Sequence, residues 1–261
     1  MALNQTLFTK EHLSYLNQQL NDLSPEKIIE WSITTLPNLY QTTAFGLTGL
    51  VITDIISKYN KSDKHPIDLI FIDTLYHFEE TLQLVNKVKQ KYNATINIYK
   101  PNKVNNRSDF ESKYGAQLWK SNEDQYDYLV KVEPAHRAYN ELNVSAVFTG
   151  RRRSQHGQRS SIPILELDTT GLLKINPLAN WTFSQVEEYV KRNNVPYNPL
   201  LDQGYLSIGD YHSTTPSKDK NDERSGRWAN QTKTECGLHK DYFKLKLAAT
   251  ATTTSQTVTL N

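Results

Sequence analysis

A chain of 261 residues, 37% of them hydrophobic and 22% charged, has the size and balance of one ordinary globular domain with a sizeable core, which excludes a fibrous or wholly disordered protein. Thirty Lys and Arg against 28 Asp and Glu leave a net charge of +2, so no global field holds nucleic acid or a membrane, and any anion must be recognised locally. The longest apolar runs, such as residues 67–72, fall far short of the roughly 20 residues a membrane span needs. Residues 1–20 lack a basic segment followed by an apolar one, and a cytoplasmic protein is expected.

In chain order, Leu13, Leu16, Leu20 and Leu23 recur at helical spacing. Ser24-Pro25-Glu26 follows with a capping residue and a proline at a first turn, so two N-terminal helices are predicted. Residues 40–45 read as a short strand ending at Gly46, and 48–59 as an amphipathic helix. A buried-type strand over 67–72, a helix over 77–92 and a strand over 95–99 complete a βαβαβ alternation, which implies a parallel sheet. Residues 123–142 read as helical despite Pro134, and 145–149 as a strand. Residues 162–167 and 172–175 flank the turn Asp168-Thr169-Thr170-Gly171 like a hairpin. A last helix over 181–192 has Thr182 as a cap. Beyond Asn193 the pattern is loop-like, and residues 211–233 are dense in Ser, Thr, Asp, Lys and Asn without periodicity. The expected organisation is N-terminal helices over 1–39, an α/β core over 40–200 with a mostly parallel twisted sheet flanked by helices, a C-terminal arm over 201–247, and a flexible Thr/Ala-rich tail over 248–261.

In an open α/β sheet, ligands gather beyond the carboxyl ends of the strands, where loop amides and helix N-termini face anions. Three loops qualify. In Thr43-Ala44-Phe45-Gly46-Leu47-Thr48-Gly49 the glycines admit a ligand to the backbone, although any strand-to-helix turn needs small residues. Phe71-Ile72-Asp73-Thr74 offers backbone groups to a base edge, or an Asp that merely caps a helix. The third, residues 148–159, is more specific: Arg151, Arg152, Arg153 and Arg159 fall directly after a strand, where guanidinium forks match phosphate oxygens. Without a basic stripe or interleaved aromatics, phosphate on a small molecule fits better than nucleic acid.

The remaining cluster is the arm, Glu223-Arg224-Ser225-Gly226-Arg227-Trp228 and then residues 233–240. It carries Cys236, the single cysteine of the chain, which forms no internal disulfide and builds no Cys-rich metal site by itself. In this polar, Gly-flanked loop a thiolate nucleophile is reasonable. Lys233, His239, Lys240 and a helix running through Phe243 and Leu247 would favour the thiolate, and Glu235 would oppose it.

Lys-Thr-Glu-Cys-Gly-Leu-His at 233–239 resembles the signature of the phosphoadenylyl sulfate (PAPS) reductase family. The rest of the chain is similar in the family's order, over roughly residues 40–240: the loop at 45–49, Ile72-Asp73-Thr74, Lys131-Val132-Glu133-Pro134, 150–159, 204–210 and 224–228. The resemblance implies an adenine-nucleotide α-hydrolase-like fold, a homodimer, and conversion of PAPS to sulfite and adenosine 3′,5′-bisphosphate with thioredoxin or glutaredoxin as electron donor. Phe45, Gly46, Thr48 and Gly150 would line the nucleotide, and Ile72, Asp73 and Thr74 would meet its adenine side. Lys131, Arg152, Arg159, Arg224 and Arg227 would hold phosphates and sulfonate, with Cys236 as nucleophile, His239 supporting it and Tyr205 near the same pocket.

Sister enzymes acting on adenylyl sulfate, which lacks the 3′-phosphate, carry cysteine pairs for an iron–sulfur cluster. The equivalent positions here are Tyr126 and Asp127, then Asp210 and Ser213, so no cluster or other bound cofactor is expected, and within the resemblance PAPS is the substrate. An S-sulfocysteine needs two electrons to release sulfite; one thiol cannot supply them, so an external dithiol is required. The loop departs from the Ser-Gly-Gly-x-Asp-Ser pattern of ATP-cleaving relatives, which weighs against an adenylyl transferase or thiolation enzyme. A nucleotide sensor without catalysis is the other reading, and Cys236→Ser separates it from a reductase.

Overall fold

The computed structural model describes residues 8–59, 65–219, 222–229, 233, 235–239 and 246. The N-terminal helices are α1 (Lys10–Asn21) and α2 (Pro25–Thr35), the second capped by Ser24 with Pro25 in its first turn. The core then alternates β1 (Leu39–Thr42), α3 (Leu47–Ser57), β2 (Leu69–Ile72), α4 (Glu79–Tyr92) and β3 (Ile96–Tyr99). Short helices α5 (Arg107–Tyr114), α6 (Leu118–Ser121) and α7 (Glu123–Asp127) lead through a π-turn at Tyr128–Val132 into α8 (Glu133–Glu141). After β4 (Ala146–Phe148), β5 (Leu165–Leu167) and β6 (Leu173–Ile175) comes α9 (Phe183–Arg192), with Thr182 in a reciprocal capping box with Gln185.

Among the described residues these strands form one six-stranded sheet in the order β3-β2-β1-β4-β6-β5, parallel except for the β5–β6 hairpin. The Asp168 carboxylate ties that hairpin's turn by accepting from the N–H groups of Thr170 and Leu172. Helices cover both faces, so β2 and β4 are apolar throughout, while β1 carries Gln41 and Thr42 and β6 carries Lys174. In β2, Leu69 and Phe71 face the larger core with α3 and α4, while Ile70 and Ile72 face a smaller one under α8.

Two boundaries that differ from the sequence reading do so for physical reasons. The first strand ends at Thr42, because Phe45 takes a left-handed φ of 56° and turns the chain out of the sheet. The helix expected from residue 77 starts at Glu79, because His77 pairs with Asp210 as an isolated bridge. Pro134 is tolerated through the π-turn: the Glu133 N–H reaches the Tyr128 carbonyl five residues back, and the helical path continues past the ring. α5 and α6 had no expectation attached; α5 buries only Phe110 and is set by its Asn106 cap, a weak pattern in sequence. The tail over 248–261, and the helix expected through Phe243 and Leu247 apart from Lys246, lie outside the described residues.

Candidate active site

From β1 the chain steps outward to β2 and β3, then returns to β4 on the other side of β1. The loops after β1 and β4 therefore diverge at the carboxyl edge of the sheet, where a crevice must open. A cavity of about 270 Å³ lies there.

The loop after β1 is built by local bonding. The Thr43 hydroxyl accepts the Phe45 N–H at 2.9 Å, and the Phe45 ring is buried against Phe71, 5.4 Å between centroids. A bulky residue at positive φ costs on the order of 1–3 kcal/mol, held here by that packing. Buried Gln41 donates to the Gly49 carbonyl at 2.7 Å and accepts from Thr53 at 3.0 Å, fixing the start of α3. A Cβ at Gly49 would lie 2.6 Å from the Thr43 hydroxyl, and one at Gly150 would lie 3.1 Å from the Gly49 nitrogen, so the β1 and β4 loops meet backbone to backbone. Gly46 precedes α3 without a side-chain cap, leaving first-turn N–H groups for an anion.

Phe45, Gly46, Thr48, Ile72, Thr74 and Gly150 line the cavity, as do Lys131, Arg159, Tyr205, Arg224, Arg227 and Cys236. Two residues expected at the nucleotide do not. The Asp73 carboxylate turns back to accept the Leu75 N–H at 2.9 Å and faces Lys100 at 3.6 Å. Arg152 is 1% exposed; it donates to the Thr48 hydroxyl at 3.0 Å and pairs with Glu223, bracing the β1 loop against the arm. His239 ends the short turn Gly237–His239, and its side chain lies outside the described residues.

The cations are already matched by carboxylates that the sequence reading did not pair with them. Arg151 pairs with Glu166 and Arg159 with Glu235, and Arg224 lies 3.5 Å from Glu235. Burial, with Arg159 nearby, brings the Arg224 pKa down to about 10. The Arg227 guanidinium sits 4.4 Å over the Trp228 ring and against Gly209, where any Cβ would collide with it. Among the described residues, buried Arg227 Nε and Glu223 Oε1 have no hydrogen-bond partner, a cost of about 1–3 kcal/mol each that a polar ligand would offset. The signal was present in sequence: Glu223 and Glu235 stand inside otherwise cationic motifs.

Cys236 is half-buried at the cavity, whose lining includes Lys131, Arg224 and Arg227. Lys233 instead faces Asp127 at 2.6 Å and Glu123 at 3.0 Å. Burial works against charge on Lys131, yet Asp210 at 2.7 Å and Asp127 at 3.2 Å hold its pKa above the ordinary lysine value. Tyr126 and Asp127 thus converge with Asp210 around one buried ammonium, the Tyr126 hydroxyl donating to Asp210 at 3.2 Å.

Beside this network His212 stacks on Trp119 at 4.0 Å with its Nε2 2.9 Å from the Tyr126 hydroxyl. Burial, opposed by Asp210 and aided by Lys131 and Lys233, lowers its pKa to about 4. The unfolded chain takes up this proton near 6.5, so between about pH 6.5 and 4 it binds more protons than the folded one. Stability is therefore expected to fall over that window by on the order of 2 kcal/mol after solvent screening. Denaturation midpoints against pH check this: His212→Gln should flatten the decline, and an unaltered slope refutes it.

A family profile described as the phosphoadenosine phosphosulfate reductase domain matches residues 38–216. The chain belongs to the phosphoadenosine phosphosulfate reductase family. A phosphoadenosine phosphosulfate reductase of Emericella nidulans is 57% identical over 91% of this chain and 78% of its own length. An adenosine 5′-phosphosulfate reductase of Bacillus subtilis is 37% identical over 92% of this chain and all of its own. Among solved structures, a PAPS reductase from Candida auris in a phosphate complex has 53% identity and a TM-score of 0.74, covering 82% of this chain and all of its own. Membership of this reductase family agrees with the α/β core and cavity. No helix among the described residues is long and apolar enough to cross a membrane.

Proposed function

We propose that this protein reduces 3′-phosphoadenylyl sulfate to sulfite and adenosine 3′,5′-bisphosphate through an S-sulfocysteine on Cys236. The observation that carries the reading is that one cavity brings the sole thiol together with Lys131, Arg159, Arg224 and Arg227. A thiolate approaching a sulfonate must overcome anionic repulsion, and preorganised cations offset it while stabilising charge that moves onto the leaving phosphate. Cys236 Sγ attacks the sulfonate sulfur, the bond from that sulfur to the bridging phosphate oxygen breaks, and its electron pair leaves with the bisphosphate. A donor thiolate then attacks Cys236 Sγ and releases sulfite with the electron pair of the S–S bond. The donor's second thiol resolves the mixed disulfide, regenerating Cys236. With a single cysteine in the chain, both electrons come from an external dithiol, with thioredoxin or glutaredoxin as the class of donor.

The 3′-phosphate is assigned because identity is higher to the relative named for PAPS than to the one named for adenosine 5′-phosphosulfate, and because the cavity is rich in cations. The homodimer implied by the resemblance and the cytoplasmic location expected from residues 1–20 belong to the same proposal. Intact mass after mixing reduced protein with PAPS, or in parallel with adenylyl sulfate, and no dithiol tests it. A single sulfonate adduct on Cys236 from PAPS alone is expected. An equal yield from both nucleotides would refute the 3′-phosphate assignment, and no adduct from either would refute covalent catalysis.

A further inference from the structure

Cys236 has neighbours in the chain that are both fixed to the core. On one side, Arg159 forks the Glu235 carboxylate, Nε to Oε1 and Nη2 to Oε2 both at 2.6 Å, and Arg224 approaches the same carboxylate at 3.5 Å. Glu235 and Arg159 are only 7% and 8% exposed, so this is a desolvated bidentate pair rather than a surface contact. On the other side, Gly237 lies so close to the helix around the π-turn that a Cβ would fall 2.8 Å from Asp127 Cβ and 3.1 Å from Val132 Cγ2. Consecutive Cα atoms are about 3.8 Å apart, so two adjacent anchors leave the intervening thiol little room to wander.

Arg159 also donates through Nη1 to Gln155 Oε1 at 2.6 Å. A guanidinium has five N–H donors, and these contacts use three, leaving one on each Nη. Arg159 lines the cavity, so the group that fixes the Cys236 segment retains donors for an anion there.

We infer that Glu235 is a positioning residue: through Arg159 it registers the Cys236 sulfur against the anionic end of the bound substrate. The inference rests on Cys236 being the nucleophile. Its carboxylate does not touch the reacting atoms; it sets their separation by sharing one rigid fork with the ligand. The acidic charge beside the thiol, which sequence alone reads as opposing a thiolate, is taken up by Arg159 and Arg224.

The test is Glu235→Gln in the full chain, with single-turnover sulfonation of Cys236 by PAPS without dithiol, read by intact mass. A displacement of about 1 Å costs roughly 100-fold in a reaction governed by approach geometry. A fall of about that size in the saturating rate is expected, with half-saturating PAPS changed less than about threefold. Alkylation of Cys236 by N-ethylmaleimide, an uncharged reagent, should move the other way and accelerate, because the segment is less held. Glu235→Asp should recover between about a tenth and a third of the wild-type rate, and this remaining deficit carries the same readouts if the Gln variant does not fold. A saturating rate equal to wild type overturns the inference, as does a rise in half-saturating PAPS with no change in that rate. If the wild-type protein itself forms no adduct, the reading of Cys236 as nucleophile fails instead, while alkylation still reports whether Glu235 tethers the segment.

Discussion

Cys236→Ser is expected to lower PAPS-dependent sulfite formation by at least roughly 10³-fold, while adenosine 3′,5′-bisphosphate binds within about threefold of wild type. The thiol is half-buried at the cavity beside Lys131, Arg224 and Arg227. A serine hydroxyl at the same place is not ionised near neutral pH and cannot be reduced off a sulfonate by a dithiol, so both halves of the cycle are lost. The change removes one sulfur from a position whose neighbours are set by other contacts, the fork on Glu235 and the close approach of Gly237. Binding should therefore survive. Steady-state sulfite release with thioredoxin, together with calorimetric titration of the bisphosphate, checks both parts. Residual turnover above a tenth of wild type would rule out the S-sulfocysteine route, and loss of binding would assign Cys236 a structural task instead.

The largest stability loss is expected from Asp210→Ala, about 3–5 kcal/mol. Asp210 is 2% exposed, lies 2.7 Å from Lys131, and accepts from the Thr74 hydroxyl at 2.6 Å and the Tyr126 hydroxyl at 3.2 Å. Without it Lys131, 7% exposed, keeps Asp127 as its one carboxylate among the described residues, and Asp127 is shared with Lys233. An ammonium buried with half its counter-charge removed is costly, and two hydroxyls lose their acceptor. Asp210→Asn keeps the shape and some hydrogen bonds, so its loss should be smaller. Urea denaturation at neutral pH, with the slope unchanged, measures both. A loss below about 1 kcal/mol for the alanine variant would mean that Lys131 finds another partner or reaches water.

How much of this was legible depended on the range of the forces involved. The βαβ alternation is a property of local hydrophobic runs such as 69–72 and of caps such as Ser24 and Thr182, so elements appeared within a few residues of their observed bounds. The cavity residues in the loops after β1, β2 and β4 followed from strand ends and glycine spacing. Pairings such as Arg159 with Glu235, 76 residues apart, and Thr74 with Asp210, 136 apart, have no local signature. For that reason Arg152 looked like a phosphate ligand and was placed instead as a brace on Glu223. The left-handed Phe45, which ends the first strand early, likewise depends on packing against Phe71 from a different strand.

The π-turn at Tyr128–Val132 solves a problem of rotational phase. Tyr126 and Val130, four residues apart, look into the aromatic cluster with Tyr76 and Phe110; Ala135 and Ala138, three apart, look into the core under β2 and β4. Between the two pairs the step is five residues, from Val130 to Ala135. A regular α-helix turns about 100° per residue, so one surplus residue shifts everything downstream by that angle. One helical path thus serves two cores, with the wide turn that carries Lys131 at the change from one to the other.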